Sequence, residues 1–128
     1  MPRQLISSGS EFEPKVGFSR AVRVGPHIAV SGTAPIAPGG GIACPGDLYG
    51  QTLRCLEIIE AAIVQAGGTR EHVIRTRMFL KEMTNWQDAG RAHGEFFRDI
   101  RPASTMIQIV QAIDPGWLVE IEADAIVS

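Results

Sequence analysis

Three carboxylates stand at alternate positions near the end of the chain: Glu120, Glu122 and Asp124, within Leu118–Val127. Val119, Ile121, Ala123, Ala125 and Val127 interleave with them. Successive side chains of a strand point to opposite faces, so the acids share one face and the apolar residues the other. Such an acidic face can simply be the solvated side of a half-buried sheet. It can also be covered by another subunit and line a ligand site. A carboxylate there has a raised pKa and can handle protons or water. The matching cations are Arg75, Arg77 and Lys81 in Val73–Lys81, which share a strand face with Phe79. Ile74, Thr76, Met78 and Leu80 are expected to face helices. If both strands lie in one sheet, cross-strand ion pairs follow.

Other reactive side chains are sparse. His93 lies on the apolar face of a helical pattern that includes Trp86, Ala89, Phe96, Phe97 and Ile100. That placement reads as a hydrogen-bonded core histidine rather than a catalytic base, since no Ser, Cys or second His stands at a spacing that supports the base. Cys44 sits in a Gly/Pro loop and Cys55 in a helical pattern. Without a CxxC or a histidine at ligand spacing, two free thiols and no metal site are expected. Gly39-Gly40-Gly41 is not followed by Lys-Ser/Thr, so it reads as a loop tip rather than a phosphate cradle. No cofactor is expected.

The 128 residues suit one domain, residues 1–128, with 45% hydrophobic and 20% charged residues, ordinary for a globular chain. A net charge of −2 and a pI near 5.9 give no footprint for nucleic acid. No apolar run reaches membrane-span length and no basic-then-apolar leader opens the chain. The expectation is a cytoplasmic protein with no membrane and no nucleic-acid partner.

These residues need elements to position them. Gln4–Ser7 fits a short edge strand. Phe18–Val24 and His27–Thr33 flank Gly25-Pro26 and read as a hairpin. Ala34–Pro45 is loop. A long helix runs from near Asp47 to Gly67-Gly68, with Leu48, Thr52, Cys55, Ile59, Ala62, Ile63 and Ala66 as its buried stripe. Asp47 suits the N-cap and Gly67 the left-handed position after the last turn. Thr69–His72 is a short capped turn. A second helix is expected from Thr84, with Thr84 and Gln87 at capping-box spacing and Met83 as a staple. Pro102 ends it and biases Arg101 toward extended backbone. Strands over Ser104–Val110 and Leu118–Val127 complete the order β-β-β-α-β-α-β-β. This is an α+β two-layer sandwich, a mixed six-stranded sheet with two helices on one face. The uncovered face would carry Phe79, Ile126, Met106 and Val110 among the charges, a mixture that suits burial against other copies of the chain.

Nearly the whole chain resembles the YjgF/RidA family of reactive enamine/imine deaminases. The likeness rests on Gly17-Phe18-Ser19-Arg20-Ala21-Val22, which resembles that family's Gly-Pro-Tyr-Ser-Gln-Ala. It also rests on Val30–Pro35, Ala61–Gly68, Phe96-Phe97, Arg101-Pro102-Ala103 and Val119–Ala123. The resemblance implies a chorismate-mutase-like homotrimer with small-molecule clefts between subunits, and hydrolysis of enamines and imines. It implies Glu120 as the acid that positions or activates water, and Phe18, Gly32, Thr33, Ser104, Met106 and Arg101 as ligand-binding positions.

The departures are specific. Ser104 stands where the deaminating members carry an arginine that grips the substrate carboxylate as a fork. Phe18 replaces a tyrosine and Met106 a cysteine. Arg101, Arg75 and Arg77 are the cations that could substitute. The expected activity is hydrolysis of an imine, enamine or related small compound, with a pocket less dependent on a substrate carboxylate. The alternatives are a trimer that binds a metabolite without turnover, and the RNA cleavage or translational inhibition attributed to some relatives. The acidic pI and the lack of a basic stripe with aromatic platforms oppose the last.

Overall fold

The computed structural model describes residues 2–128. Its strands are β1 (Arg3–Ile6), β2 (Ala21–Val24), β3 (His27–Thr33), β4 (Val73–Leu80), β5 (Ala103–Gln108) and β6 (Val119–Ile126). They form one sheet in the order β1-β2-β3-β6-β4-β5. Only β4 and β5 run parallel. Parallel neighbours need a crossover, and α3 (Trp86–Phe97) supplies it. The long helix α2 (Leu48–Gln65) packs on β3, β6 and α3. The expected mixed six-stranded sheet with a helical layer on one face is the fold observed.

The core lies between that layer and the sheet. Ile28 and Val30 of β3, Met78 and Leu80 of β4, and Ile121 and Ala123 of β6 meet Leu56, Ile59 and Ile63 of α2 and Phe97 of α3. Each fully buried large side chain contributes on the order of 1.5–3 kcal/mol. Asp47 caps α2 by accepting from the Gly50 N–H at 3.0 Å, and Gly67 takes φ 93° after the last turn. The predicted turn before β4 forms over Arg70–His72, where the Thr69 N–H donates to His72 Nδ1 at 3.0 Å.

Several expectations are corrected. A third, five-residue helix, α1 (Phe12–Val16), follows β1. It has no apolar period long enough to see. It is tied instead by buried Glu13, which accepts from Ser7 Oγ at 2.8 Å and from the Ser8 N–H at 3.0 Å. The capping box at Thr84 does not form. The Met83 N–H donates to Gln108 Oε1 at 3.0 Å, α3 begins at Trp86, and Trp86 stays exposed. Ile100 falls beyond α3, past a tight turn with Arg98 at φ 21°. Arg101 is left-handed, at φ 51°, rather than extended. A register shift between Val73 and Arg75 buries Val73 and turns Ile74 outward. Strand β5 ends at Gln108, so Val110 lies outside the sheet and fully exposed.

Register decides which side chains share a face. Phe79 pairs with Glu120 and Arg77 with Glu122, and the Arg77 Nη1 reaches Glu122 Oε1 at 3.3 Å and Asp124 Oδ2 at 3.2 Å. The expected cross-strand ion pairs are present, on the face away from the helices. Ser104 pairs with Thr76 and Met106 with Met78, whose side chains are buried beneath the helices. Met106 packs against the core, so it does not belong to the open face as the alternation had implied.

A candidate ligand site at Glu120, Gly32 and Arg20

Strand β3 loses register with β6 between Val30 and Thr33. A bulge of this kind bends a strand and re-aims its groups. Here it brings Gly32 against Glu120: a Cβ on Gly32 would lie 3.5 Å from Glu120 Oε2. The same stretch is stitched to the residues before β2. The Ser31 N–H donates to the Arg20 carbonyl at 3.0 Å, and Ser31 Oγ donates to the Ser19 carbonyl at 2.7 Å. Arg20 Nη2 then donates to the Gly32 carbonyl at 2.5 Å. One acid and one guanidinium therefore meet at a single glycine.

Their electrostatics are set by partial burial. Burial disfavours the charged form of Glu120 and raises its pKa above the ordinary carboxylate value; the Arg20 charge opposes this and Glu122 reinforces it. Burial also lowers the basicity of Arg20, against the pull of Glu13 and Glu120, though a guanidinium remains a cation. Arg20 Nε is buried with no hydrogen-bond partner.

The other predicted site residues are distributed differently. Phe18 lies two residues before Arg20, partly exposed at the start of this stretch. Thr33 is fully buried, and its hydroxyl donates to the Ser31 carbonyl at 2.8 Å. No part of Thr33 is exposed at this site. Ser104 and Met106 lie on the sheet face opposite Glu120. Thr76 Oγ1 stands 2.8 Å from Ser104 Oγ and 2.8 Å from His93 Nε2, so His93 is a hydrogen-bonded packing residue that also holds the Ser104 region. Burial lowers the His93 pKa. Arg101 sits in the exposed turn before β5. The sequence reading missed Arg20. Its signal was the arginine at the glutamine position of the early motif, but its partners depend on the bulge in β3. Cys44 is exposed and Cys55 buried, and both are free thiols.

The open sheet, the helical layer and the bulge at Gly32 define a small α+β fold of the YjgF/RidA type. The family described as Endoribonuclease L-PSP matches residues 8–127, and the chain belongs to it. Among solved structures it is similar to Rv2704 of Mycobacterium tuberculosis, a member of the YjgF/YER057c/UK114 family. The identity is 44%, the TM-score 0.89, and the match covers 98% of this chain and 100% of that one. Protein SCO2049 of Streptomyces coelicolor is 37% identical over 120 residues, 94% of this chain and 89% of that protein. The RutC family protein PYRAB12510 of Pyrococcus abyssi is 30% identical over 125 residues, 98% of each. No helix among the described residues is long and apolar enough to cross a membrane.

Proposed function

We propose that this chain hydrolyses small imines or enamines, in clefts completed by neighbouring copies in a homotrimer. The carrying observation is Glu120, a half-buried carboxylate of raised pKa set against the bare backbone of Gly32. A carboxylate of that kind can take a proton from water as the water oxygen adds to the C=N carbon. That proton passes to the nitrogen to give a carbinolamine. The nitrogen then takes the second proton, from the new hydroxyl, the C–N bond breaks, ammonia leaves and a carbonyl compound remains. The need for a neighbouring copy is supported by the two sheet faces. Glu120 and Ser104 are on opposite sides of one protomer, so a small ligand touching both positions requires a second chain. Serine at position 104 supports a substrate preference unlike that of members with arginine there.

An imine generated in situ provides the test. Wild type is expected to release ammonia faster than buffer, and Glu120→Gln to lower that rate on the order of a hundredfold or more. Equal rates for the two proteins would overturn the assignment. Ligand binding without any turnover would favour the second reading, a non-catalytic metabolite-binding trimer, which the loss of the arginine at 104 supports. RNA is disfavoured as substrate because Glu120, Glu122 and Asp124 share the candidate face and repel phosphates.

A further inference from the structure

The arginine expected to hold a substrate carboxylate is missing at position 104, and the three cations that could replace it are poorly placed. Arg77 is engaged by Glu122 and Asp124. Arg101 belongs to the exposed turn before β5, and Arg75 is an exposed strand residue next to the bulge in β4. Arg20 differs from all three. It is fixed at its backbone, where its N–H donates to the Ile6 carbonyl at 2.8 Å and its carbonyl accepts from Ser31. Its side chain is fixed by Nη2 on Gly32. Its Nε is sealed in without a partner, so this edge of the guanidinium is already desolvated. Its Nη1 has no protein partner among the described residues and is not sealed from solvent.

The nearby carboxylates leave that charge available. Glu13 attracts Arg20 through space, but its oxygens accept from both hydroxyls of Ser7 and Ser8 and from the Ser8 N–H, and no hydrogen bond or ion pair joins it to the guanidinium. Glu120 meets Arg20 across Gly32, but no hydrogen bond or ion pair joins the two side chains. A fixed, partly desolvated guanidinium with a free donor is the chemistry that recognises a small carboxylate.

From this geometry we infer that Arg20 is the specificity-determining cation of the site, and that the ligand is a small carboxylate held by Arg20 beside Gly32 and Glu120. The inference deepens the proposed function and rests on it for the location of the site. It reverses the expectation that the pocket depends little on a substrate carboxylate: the anchor has moved from the edge strand to the start of β2. The anion would then lie on the same sheet face as the water-handling acid.

The probes are pyruvate and pyruvamide, which share a carbon skeleton and differ in charge. Wild type is expected to bind pyruvate at least about tenfold more tightly in NMR titrations that follow the Gly32 amide. Arg20→Gln should lower pyruvate affinity about 10- to 100-fold and leave pyruvamide unchanged. In wild type the Arg20 Nε resonance should shift with pyruvate and not with pyruvamide, a readout that needs no variant to fold. The inference is overturned if the Arg20 resonance ignores pyruvate. It is equally overturned if a folded Arg20→Gln weakens both ligands alike, the mark of a merely structural arginine, or weakens neither. Binding and turnover fail separately. Acid selectivity without hydrolysis would sink the enzyme reading and keep Arg20. Hydrolysis that Arg20→Gln leaves intact would do the reverse.

Discussion

At the scale of single residues, one half-buried acid and one buried acid act on stability with opposite signs. Burial lifts the Glu120 pKa above its unfolded value, with Glu122 adding to the effect and Arg20 reducing it. The folded chain therefore holds more protons than the unfolded chain just above the ordinary carboxylate range, and stability falls as pH rises through that window. Burial alone would lift Glu13 too. Its hydrogen bonds from Ser8 and Ser7, with the Arg20 charge, outweigh burial and lower its pKa. Glu13 thus stabilises above the ordinary carboxylate range, and that contribution is lost as pH falls. Glu120→Gln is expected to raise Tm at pH near 7, with the gain vanishing below about pH 4. Glu13→Gln should cost roughly 1–3 kcal/mol near pH 7, with the deficit shrinking in acid. Thermal denaturation across that pH range reads both signs. Glu120 is legible in the sequence through its alternation and the family motif, and Gly32 through the motif. Arg20 is not, because alternation gives a side chain's face and says nothing about which carbonyl it will reach.

Elements were legible where a period ran long. Helix α2 carries its apolar stripe over 18 residues, and β6 alternates almost without fault. Features fixed by one tertiary hydrogen bond were not legible, as at Met83, where a glutamine from β5 takes the N–H that a capping box would have used. Gln51 is a similar case inside α2. It is fully buried, its Nε2 donates to the Gly116 carbonyl at 3.1 Å, and its Oε1 accepts the Leu118 N–H at 2.8 Å. That one amide joins α2 to the turn that feeds β6. Gln51→Leu fills the volume but strands both backbone groups. The expected loss is about 2–4 kcal/mol, read by urea denaturation. Hydrogen exchange should speed up first at Leu118, ahead of the β6 amides.

For the whole molecule, one sheet face is left uncovered. Leu5, Val24, Ile107 and Ile126 are exposed on it, among Arg77, Glu122 and Asp124. Apolar side chains laced with already paired charges suit contact with a like face better than contact with water. Sedimentation at micromolar concentration is expected to give three times the protomer mass of 13.8 kDa, and a monomer would refute it. Ala29→Arg is the disrupting change. Ala29 is exposed and pairs with Asp124, so a protomer can accommodate the arginine as an ion pair while its bulk blocks close approach. The variant should lose the trimer and keep its helical content. The sequence pointed to this face through its composition, but placed Met106 and Val110 on it wrongly. It could show neither the parallel pairing that turns Met106 inward nor the early end of β5.

Ser104 and Glu120 stand back to back across the sheet, and this separates them energetically within one chain. Ser104 is tied through Thr76 to His93 and hence to the helical layer, whereas Glu120 answers to Gly32 and Arg20. In an isolated protomer, substitutions at the two positions should therefore act as independent events, their free energies simply adding. Any departure from that sum must be carried by contacts between chains. The pair of positions is thus a built-in gauge of assembly, legible in energies alone.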